Sequence, residues 1–170
     1  MRAKSSKLAW NCSADDNLVK LISVIGPRSW DEIATKIPNR TGKQCRERWN
    51  NHLDPLVMKN QWSMEENWVL FILQRSAQNR WAKIANVLLG RPDNSIKNYW
   101  NCTFRHKQNE MVAKLDSYMS YCLEKSRPKD TAAFKNDITE RLLKHFVNES
   151  HRIYIEYLEG RRSDLHLEEE

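Results

Sequence analysis

Glycine and proline are scarce in this chain, with four and five residues among 170. Few helix-breaking residues, together with apolar residues that recur at helical spacing, predict an all-α chain. No apolar run approaches the length that would span a membrane. Apolar residues still make up 40% of the chain, which is enough for globular cores and argues against extensive disorder.

Cysteine pairs of the CxxC type are absent, although the chain has four cysteines. Residues 1–10 are polar and basic and lack the apolar run of a signal peptide. We therefore expect free thiols in a reducing, intracellular compartment. Cys102 and His106 lie four residues apart, but two ligands do not make a metal site, so neither a metal nor another cofactor is predicted.

Catalytic constellations are also missing from the sequence. No His, Asp and Ser set and no carboxylate pair has a spacing that the predicted helices would bring together, so an enzyme is not expected.

Acidic charge is sparse in the first two thirds of the chain. Residues 1–110 contain 18 Lys and Arg against 10 Asp and Glu, a net charge of +8, whereas residues 111–170 contain 10 against 12. A basic excess confined to one segment predicts a polyanionic partner for that segment, and nucleic acid is the first candidate.

Two related stretches organise the sequence, RTGKQCRERWNN at residues 40–51 and RPDNSIKNYWNC at residues 91–102. In the first, Thr41 and Gln44 have the spacing of a helix capping box. Cys45, Trp49 and Leu53 then form one apolar stripe. The opposite face carries polar and charged side chains, as a helix that reads a major groove does. These are Lys43, Arg46, Glu47 and Asn50.

Tryptophan marks an internal repeat. Trp10, Trp30 and Trp49 are separated by 20 and 19 residues, and the next three tryptophans are separated by 19 and 19. Each set predicts a three-helix unit of roughly 50 residues with one inward-facing tryptophan per helix. The second set is Trp62, Trp81 and Trp100. Trp68 lies outside the series and is expected at the surface or against the first helix of its unit.

The boundaries of the helices follow from turn residues. Ser13 is the predicted N-cap of the first helix, which Gly26 ends, and Ser63 opens the corresponding helix of the second unit. The last helix of that unit is expected to face asparagine outward, and asparagine both donates to and accepts from adenine in the major groove. The outward residues are Asn94, Lys97, Asn98 and Asn101.

Taken together, the tryptophan spacing and the motifs GKQCRERWNNHLDP and DNSIKNYWN closely resemble the two-repeat Myb (R2R3) DNA-binding domain. The resemblance covers about residues 8–107. It implies a first repeat at 8–55 and a second at 56–107, each a three-helix variant of the helix-turn-helix. It also implies that both third helices lie in one major groove, joined by the linker at 54–61.

The resemblance implies a partner and a role for individual residues. The partner is double-stranded DNA with a Myb recognition element of the AAC-plus-G type, bound by a nuclear regulator of transcription. Base contacts are implied for Lys43, Glu47, Asn94, Lys97, Asn98 and Asn101. Contacts to the DNA backbone are implied for Arg28, Trp30, Arg46, Arg48, Asn51, Arg80, Trp81 and Arg105.

The chain departs from the family pattern in three places. Pro92 stands where the first repeat has Thr41, so the hydroxyl cap is lost, although proline suits a helix start. Gln78 replaces the glycine expected before Trp81, which puts the turn between the first two helices in doubt. The acidic trio after the first tryptophan of each repeat is reduced to two acids.

Residues 108–160 form an amphipathic helical segment that the resemblance does not cover. Its two stripes, broken at Arg127–Asp130, predict a helical hairpin docked on the repeats in preference to a dimer, and they are also candidates for contacting other nuclear proteins. Gly160 is expected to end the second helix, with a loose acidic tail at 161–170. Removing residues 111–160 is expected to leave the DNA sequence preference unchanged.

Two other functions use the same fold. A SANT-type module binds histone tails or other proteins, and it would show acidic or apolar faces on the third helices, whereas here those faces are basic and amide-rich. A Myb-like subunit of an RNA-processing complex would bind RNA or protein, and base-reading residues in both repeats argue against it.

Overall fold

The computed structural model describes the backbone of residues 9–167 and the side chains of residues 9–161. Every regular element in that range is helical, which confirms the predicted all-α class. The chain falls into two compact units that divide between Val57 and Met58. Over the described range, no helix is both long and apolar enough to cross a membrane.

The first unit contains three helices and a closing π-helical turn. They are α1 (Cys12–Ile25), α2 (Trp30–Thr35), α3 (Gly42–Arg48) and the turn at Trp49–Leu53. The core is small and mostly aliphatic. Its buried members are Leu18, Ile22, Ile33, Ile37 and Cys45.

The N-cap of α1 is Asn11, whose side chain accepts a hydrogen bond from the Ala14 amide at 2.9 Å. The prediction of Ser13 was wrong, because Ser13 already lies in the first turn of the helix. Asparagine and serine cap equally well, so the motif alone could not choose between them.

The second unit begins with a repeat of the same design. Its helices are α4 (Met64–Ala77), α5 (Trp81–Ala85) and α6 (Asp93–Cys102), followed by a 3₁₀ turn at Phe104–His106. Ser63 and Glu66 form the predicted capping box at the start of α4, with bonds of 3.1 and 2.9 Å. The centre of the core is fully buried and again largely aliphatic. It contains Val69, Leu70, Phe71, Ile84, Leu88, Ile96 and Phe104.

Five of the six tryptophans that mark the repeat pack around these cores instead of filling them. Of the six that mark the repeat, only Trp100 is buried, and the other five are half-buried. Trp10 and Trp62 also precede the first helix of their repeats. The prediction of one inward tryptophan per helix was therefore wrong in detail: aliphatic side chains fill the small centre, and the large rings cover its edges.

The residue that ends the first helix has a positive φ in both repeats. Gly26 ends α1 with φ +87°, and Gln78 ends α4 with φ +52°. A side chain at positive φ is disfavoured, so the second repeat keeps the turn at a conformational cost. The lost glycine strains this turn but does not remove it.

Two further helices complete the second unit, α7 (Gln108–Ser126) and α8 (Thr131–Leu167). Arg127, at φ +42°, ends α7, and the carboxylate of Asp130 caps α8 by accepting from the amides of Ala132 and Ala133 at 3.0 Å. The predicted break between the two helices is confirmed.

The hairpin packs on the second repeat, as expected. The indole of Trp68 in α4 stacks on the ring of Phe146 in α8, with centroids 5.5 Å apart and planes 7° from parallel. Met111 of α7 is buried in the same core as Phe104. Trp68 is thus one of the residues on which α8 docks, a role that its place outside the tryptophan series did not predict.

The expectation that α8 ends at Gly160 was wrong, because the helix continues to Leu167. A single glycine costs about 1 kcal/mol in a helix interior, which a long helix tolerates. The tail expected to be loose is therefore helical from residue 161 to 167, and residues 168–170 lie outside the described range.

Candidate nucleic-acid interface

Helix α3 presents its polar face to solvent because its apolar face is fixed. The Thr41 hydroxyl accepts from the Gln44 amide at 3.2 Å, and the Gln44 side chain accepts from the Thr41 amide at 2.9 Å, which completes the predicted capping box. Gly42 allows α3 to start against α2, since a Cβ there would lie 3.0 Å from the carbonyl oxygen of Trp30. Cys45 is fully buried.

Lys43 and Glu47 lie one turn apart on the exposed face of α3. Their side chains are 83% and 59% exposed, and Lys43 Nζ is 3.9 Å from Glu47 Oε1. An exposed pair at this distance contributes little to stability, at most about 0.5 kcal/mol. Either side chain can therefore leave its partner and bind a ligand instead.

Helix α6 has a comparable exposed face. Pro92 occupies the N-cap, and the Asp93 carboxylate accepts from the Asn94 amide at 2.7 Å. Ile96 and Trp100 are buried on the inner side. All four predicted base-reading residues of this helix are exposed together on the outer side. They are Asn94, Lys97, Asn98 and Asn101.

The residues predicted to contact the DNA backbone divide into three groups. Arg28, Arg46, Arg80 and Arg105 are exposed. Trp30 and Trp81 are half-buried against their cores. The last two are half-buried and bonded within the chain: Asn51 donates to the Glu47 carbonyl at 2.8 Å, and Arg48 is paired with Asp15.

The pair between Arg48 and Asp15 ties α3 to α1 and was not foreseen. Both carboxylate oxygens accept from the guanidinium, at 2.9 and 2.6 Å, and this bonding raises the pKa of Arg48. At the related positions of the second repeat, the Tyr99 hydroxyl donates to Asn67 Oδ1 at 2.7 Å. Burial raises the pKa of Tyr99, so its hydroxyl stays a donor.

Arg91 makes a second set of contacts that sequence reasoning missed. Its guanidinium is buried, donates to both oxygens of the Glu66 carboxylate at 2.6 and 2.9 Å, and lies 4.9 Å from the centre of the Trp62 ring. It also donates to the carbonyls of Met58, Asn60 and Gln61 at 3.2, 2.9 and 3.1 Å. Arg91 therefore fastens the segment before α4 to the start of α6.

A signal for this role was present in the alignment of Arg40 with Arg91. In the first repeat, Arg40 donates to the Ala9 carbonyl at 2.7 Å and lies 4.2 Å from the centre of the Trp10 ring. Both arginines thus contact the first tryptophan and the backbone before it. Ala14 stands where the second repeat has Glu66, so the first repeat has no carboxylate at the position that pairs with Arg91 in the second repeat.

Across residues 9–161, no three His, Cys, Asp or Glu side chains gather where they could hold a metal ion.

Comparison with known proteins identifies the fold. The model of the Myb-like DNA-binding domain matches twice, at residues 7–53 and 59–102, which together make up more than half of the chain. The chain belongs to the Myb DNA-binding domain family. The two matches coincide with the two repeats of three helices described above.

Relatives of these Myb repeats occur in animals and plants. Myb-related protein A of Homo sapiens is 47% identical over 98 residues, which are 58% of this chain and 13% of that protein. Transcription factor MYB3R-4 of Arabidopsis thaliana is 44% identical over 111 residues, 65% of this chain and 11% of that protein. The chain therefore spans a small part of the length of the curated relatives it matches.

Solved Myb structures are also similar to this chain. The Trichomonas vaginalis Myb3 DNA-binding domain, bound to a promoter sequence, is 41% identical with a TM-score of 0.56, over 58% of this chain and 83% of that one. Myb2 of Trichomonas vaginalis, in complex with MRE-1-12 DNA, is 35% identical with a TM-score of 0.53, over 56% of this chain and 91% of that one.

Proposed function

We propose that this protein binds double-stranded DNA sequence-specifically through the major groove, with α3 and α6 as its reading helices. One observation carries the proposal: in both repeats the third helix buries its apolar stripe and exposes side chains that match base edges. A related Myb domain bound to a promoter sequence supports the same use of the fold.

The base contacts follow from the chemistry of the exposed side chains. Lys43 donates to guanine O6 and N7, Glu47 accepts from a cytosine amino group, and Asn98 forms a bidentate pair with adenine. Asn94, Lys97 and Asn101 extend the reading face of α6. For these positions, the resemblance to two-repeat Myb domains implies a recognition element of the AAC-plus-G type.

Phosphate contacts would position these helices without reading sequence. We assign them to Arg28, Trp30, Arg46, Arg48, Asn51, Arg80, Trp81 and Arg105. Arg48 can bind a phosphate while it is paired with Asp15, because the carboxylate uses only two of the five guanidinium donors.

A DNA-binding unit of this kind suits a nuclear regulator of transcription. The name of the Arabidopsis thaliana relative, a transcription factor, supports this step. We propose the nucleus as the site of action for the same reason.

Selection of bound sequences from random duplex DNA tests the proposal. Enrichment of an AAC-containing element with a nearby G is expected, and enrichment of no sequence would contradict it. Binding should also weaken steeply with salt, as expected when roughly 5–8 phosphates are neutralised. A nearly flat salt response would favour a protein partner and the SANT-type alternative.

A further inference from the structure

The C-terminal half of α8 lies against the short segment that leads into α6. His151 Nε2 is 2.8 Å from the carbonyl oxygen of Val87, in the turn after α5. The ring of Tyr154 lies directly against Gly90: a Cβ on that glycine would be 2.5 Å from Tyr154 Cε2. One helix therefore contacts both ends of the segment from Val87 to Gly90.

Gly90 is fixed from a second side. The Met58 amide donates to the Gly90 carbonyl at 2.9 Å, and a Cβ on Gly90 would lie 2.7 Å from Met58 Cγ. The backbone at Gly90 has φ +74°, a conformation that glycine adopts without strain. Tyr154 and Met58 thus hold a backbone that has no side chain of its own to anchor it.

Only two residues, both conformationally restrained, separate Gly90 from the start of α6. Arg91 is 4% exposed, and its guanidinium is held by Glu66 and by three backbone carbonyls. Pro92, the N-cap of α6, has a restricted φ. Because Arg91 is held by these contacts and the φ of Pro92 is restricted, we expect a shift of Gly90 to reach Asp93, the first residue of α6.

We propose that Tyr154, assisted by His151, is a positioning residue for DNA recognition by α6. The ring of Tyr154 braces Gly90 and so fixes the start of the helix that presents Asn94, Lys97 and Asn98. This inference rests on the proposed function for its consequence in DNA binding, whereas the mechanical link can be tested without DNA.

Helix α8 offers a matched control for general loss of packing. Phe146 stacks on Trp68, eight residues before Tyr154 and therefore about 12 Å away along the helix. Phe146→Ala should weaken the docking of α8 at α4 while leaving the contact with Gly90. Tyr154→Phe is the conservative variant, since it keeps the ring that touches Gly90.

The first experiment compares backbone amide chemical shifts of the whole chain without DNA. Tyr154→Ala should move the amide resonances of Asp93, Asn94 and Lys97, whereas Phe146→Ala should move those around Trp68. Tyr154→Phe should restore the α6 resonances. Unchanged α6 resonances in Tyr154→Ala, or equal changes in both alanine variants, would overturn the proposal. If Tyr154→Ala does not fold, Tyr154→Leu takes its place in both experiments.

The second experiment measures binding to selected DNA and to random DNA, well below the melting temperature of every variant. Tyr154→Ala should lower the ratio of specific to random affinity about fivefold to tenfold, within the range typical of coupled sites. Phe146→Ala should leave the ratio unchanged. An unchanged ratio in Tyr154→Ala would refute the positioning role, whereas a parent chain that prefers no sequence would instead refute the proposed function.

Discussion

Arg48 and Asp15 form a bidentate ion pair that joins the third helix of the first repeat to its first helix. Tyr99 and Asn67 join the same two helices in the second repeat through a hydrogen bond of 2.7 Å. Each partner on the third helix also packs on the first tryptophan, since Tyr99 stacks on Trp62 at 4.2 Å and Arg48 lies 5.8 Å from the Trp10 ring. The two repeats thus fix one geometry by different chemistry.

Asp15→Ala should lower the free energy of unfolding by about 1–2 kcal/mol, because it leaves a partly buried guanidinium without its carboxylate. Urea unfolding followed by tryptophan fluorescence measures the loss. Asp16→Ala, at the exposed neighbouring residue, is the control and should change stability little. Asp15→Asn combined with Arg48→Tyr copies the second repeat and should recover much of the loss. A double variant no more stable than Asp15→Ala would refute the equivalence of the two pairs.

Asn98→Ala should weaken binding to the selected DNA by about 1–3 kcal/mol and binding to random DNA far less. The reason is that an exposed amide on α6 is proposed to pair with adenine, and the methyl group of alanine cannot. Competition binding with both DNAs provides the measurement. Arg105→Ala is the control, because the loss of a phosphate contact should weaken binding to both DNAs by a similar factor. An equal loss on both DNAs in Asn98→Ala would assign that residue to phosphate.

The repeated fold could be predicted from the sequence because its signals are local. The capping box at Thr41 and Gln44 and the stripe through Cys45 need only helical spacing, and both are present in the structure. The tryptophan spacing set the length of the repeat. It did not set the position of the rings, because which side chain fills the centre depends on the volume left by the other two helices.

The contacts that position α3 and α6 could not be derived in the same way. Arg91 and Glu66 lie 25 residues apart, and Arg48 and Asp15 lie 33 apart. Charged residues at such separations have many possible partners, so only the packed fold selects one. The role of Trp68 depends on Phe146, which lies in a segment that the family pattern does not cover.

Gln78→Gly should stabilise the chain by about 1 kcal/mol, because glycine adopts the backbone conformation at this turn without a Cβ penalty. Thermal unfolding should show the gain as a higher melting temperature. The reciprocal change, Gly26→Gln in the first repeat, should be destabilising, although a Cβ at Gly26 would meet nothing within 4 Å. A neutral Gln78→Gly would mean that the side chain of Gln78 offsets the strain.

Cys45 should react with a thiol reagent far more slowly than the exposed Cys12 and Cys102. Burial raises the pKa of the Cys45 thiol, and nearby Arg40 opposes the rise only in part. Above the ordinary pKa of a cysteine thiol, the unfolded state loses this proton while the folded state still keeps it. The contribution of Cys45 to the free energy of unfolding should therefore fall as the pH rises past that pKa. Mass spectrometry of labelled peptides measures the rates. Equal labelling of Cys45 and Cys102 would contradict the burial.

Cys45→Ser should lower stability, because a hydroxyl among Leu18, Ile33 and Ile37 has to give up its hydrogen bonds to water. The expected loss is about 1–3 kcal/mol, measured by urea unfolding. Cys102→Ser is the control at an exposed thiol. Oxidation of Cys45 would add bulk and polarity at the same place and should weaken DNA binding reversibly. A serine variant as stable as the parent would show that the packing around Cys45 admits water.

A chain that ends at Gln108 should lose stability in its second repeat by about 3 kcal/mol or more, because Trp68 loses its stacking partner and the core loses Met111. The sequence alone predicted that this truncation leaves the DNA sequence preference unchanged. The contacts of α8 with Val87 and Gly90 lead to the opposite expectation, a lower ratio of specific to random binding.

Hydrogen exchange of α4 and α6, together with binding to both DNAs, measures the two effects of this truncation. A chain that ends at Arg161 is the matched control, since it keeps Tyr154 and Phe146. Its α4 and α6 should show the same protection from hydrogen exchange as in the parent, and its ratio of specific to random binding should be the same. If the chain ending at Gln108 protects α4 equally well and keeps the parent's preference, α7 and α8 pack on the repeat without contributing to its stability or to recognition, and the original expectation holds.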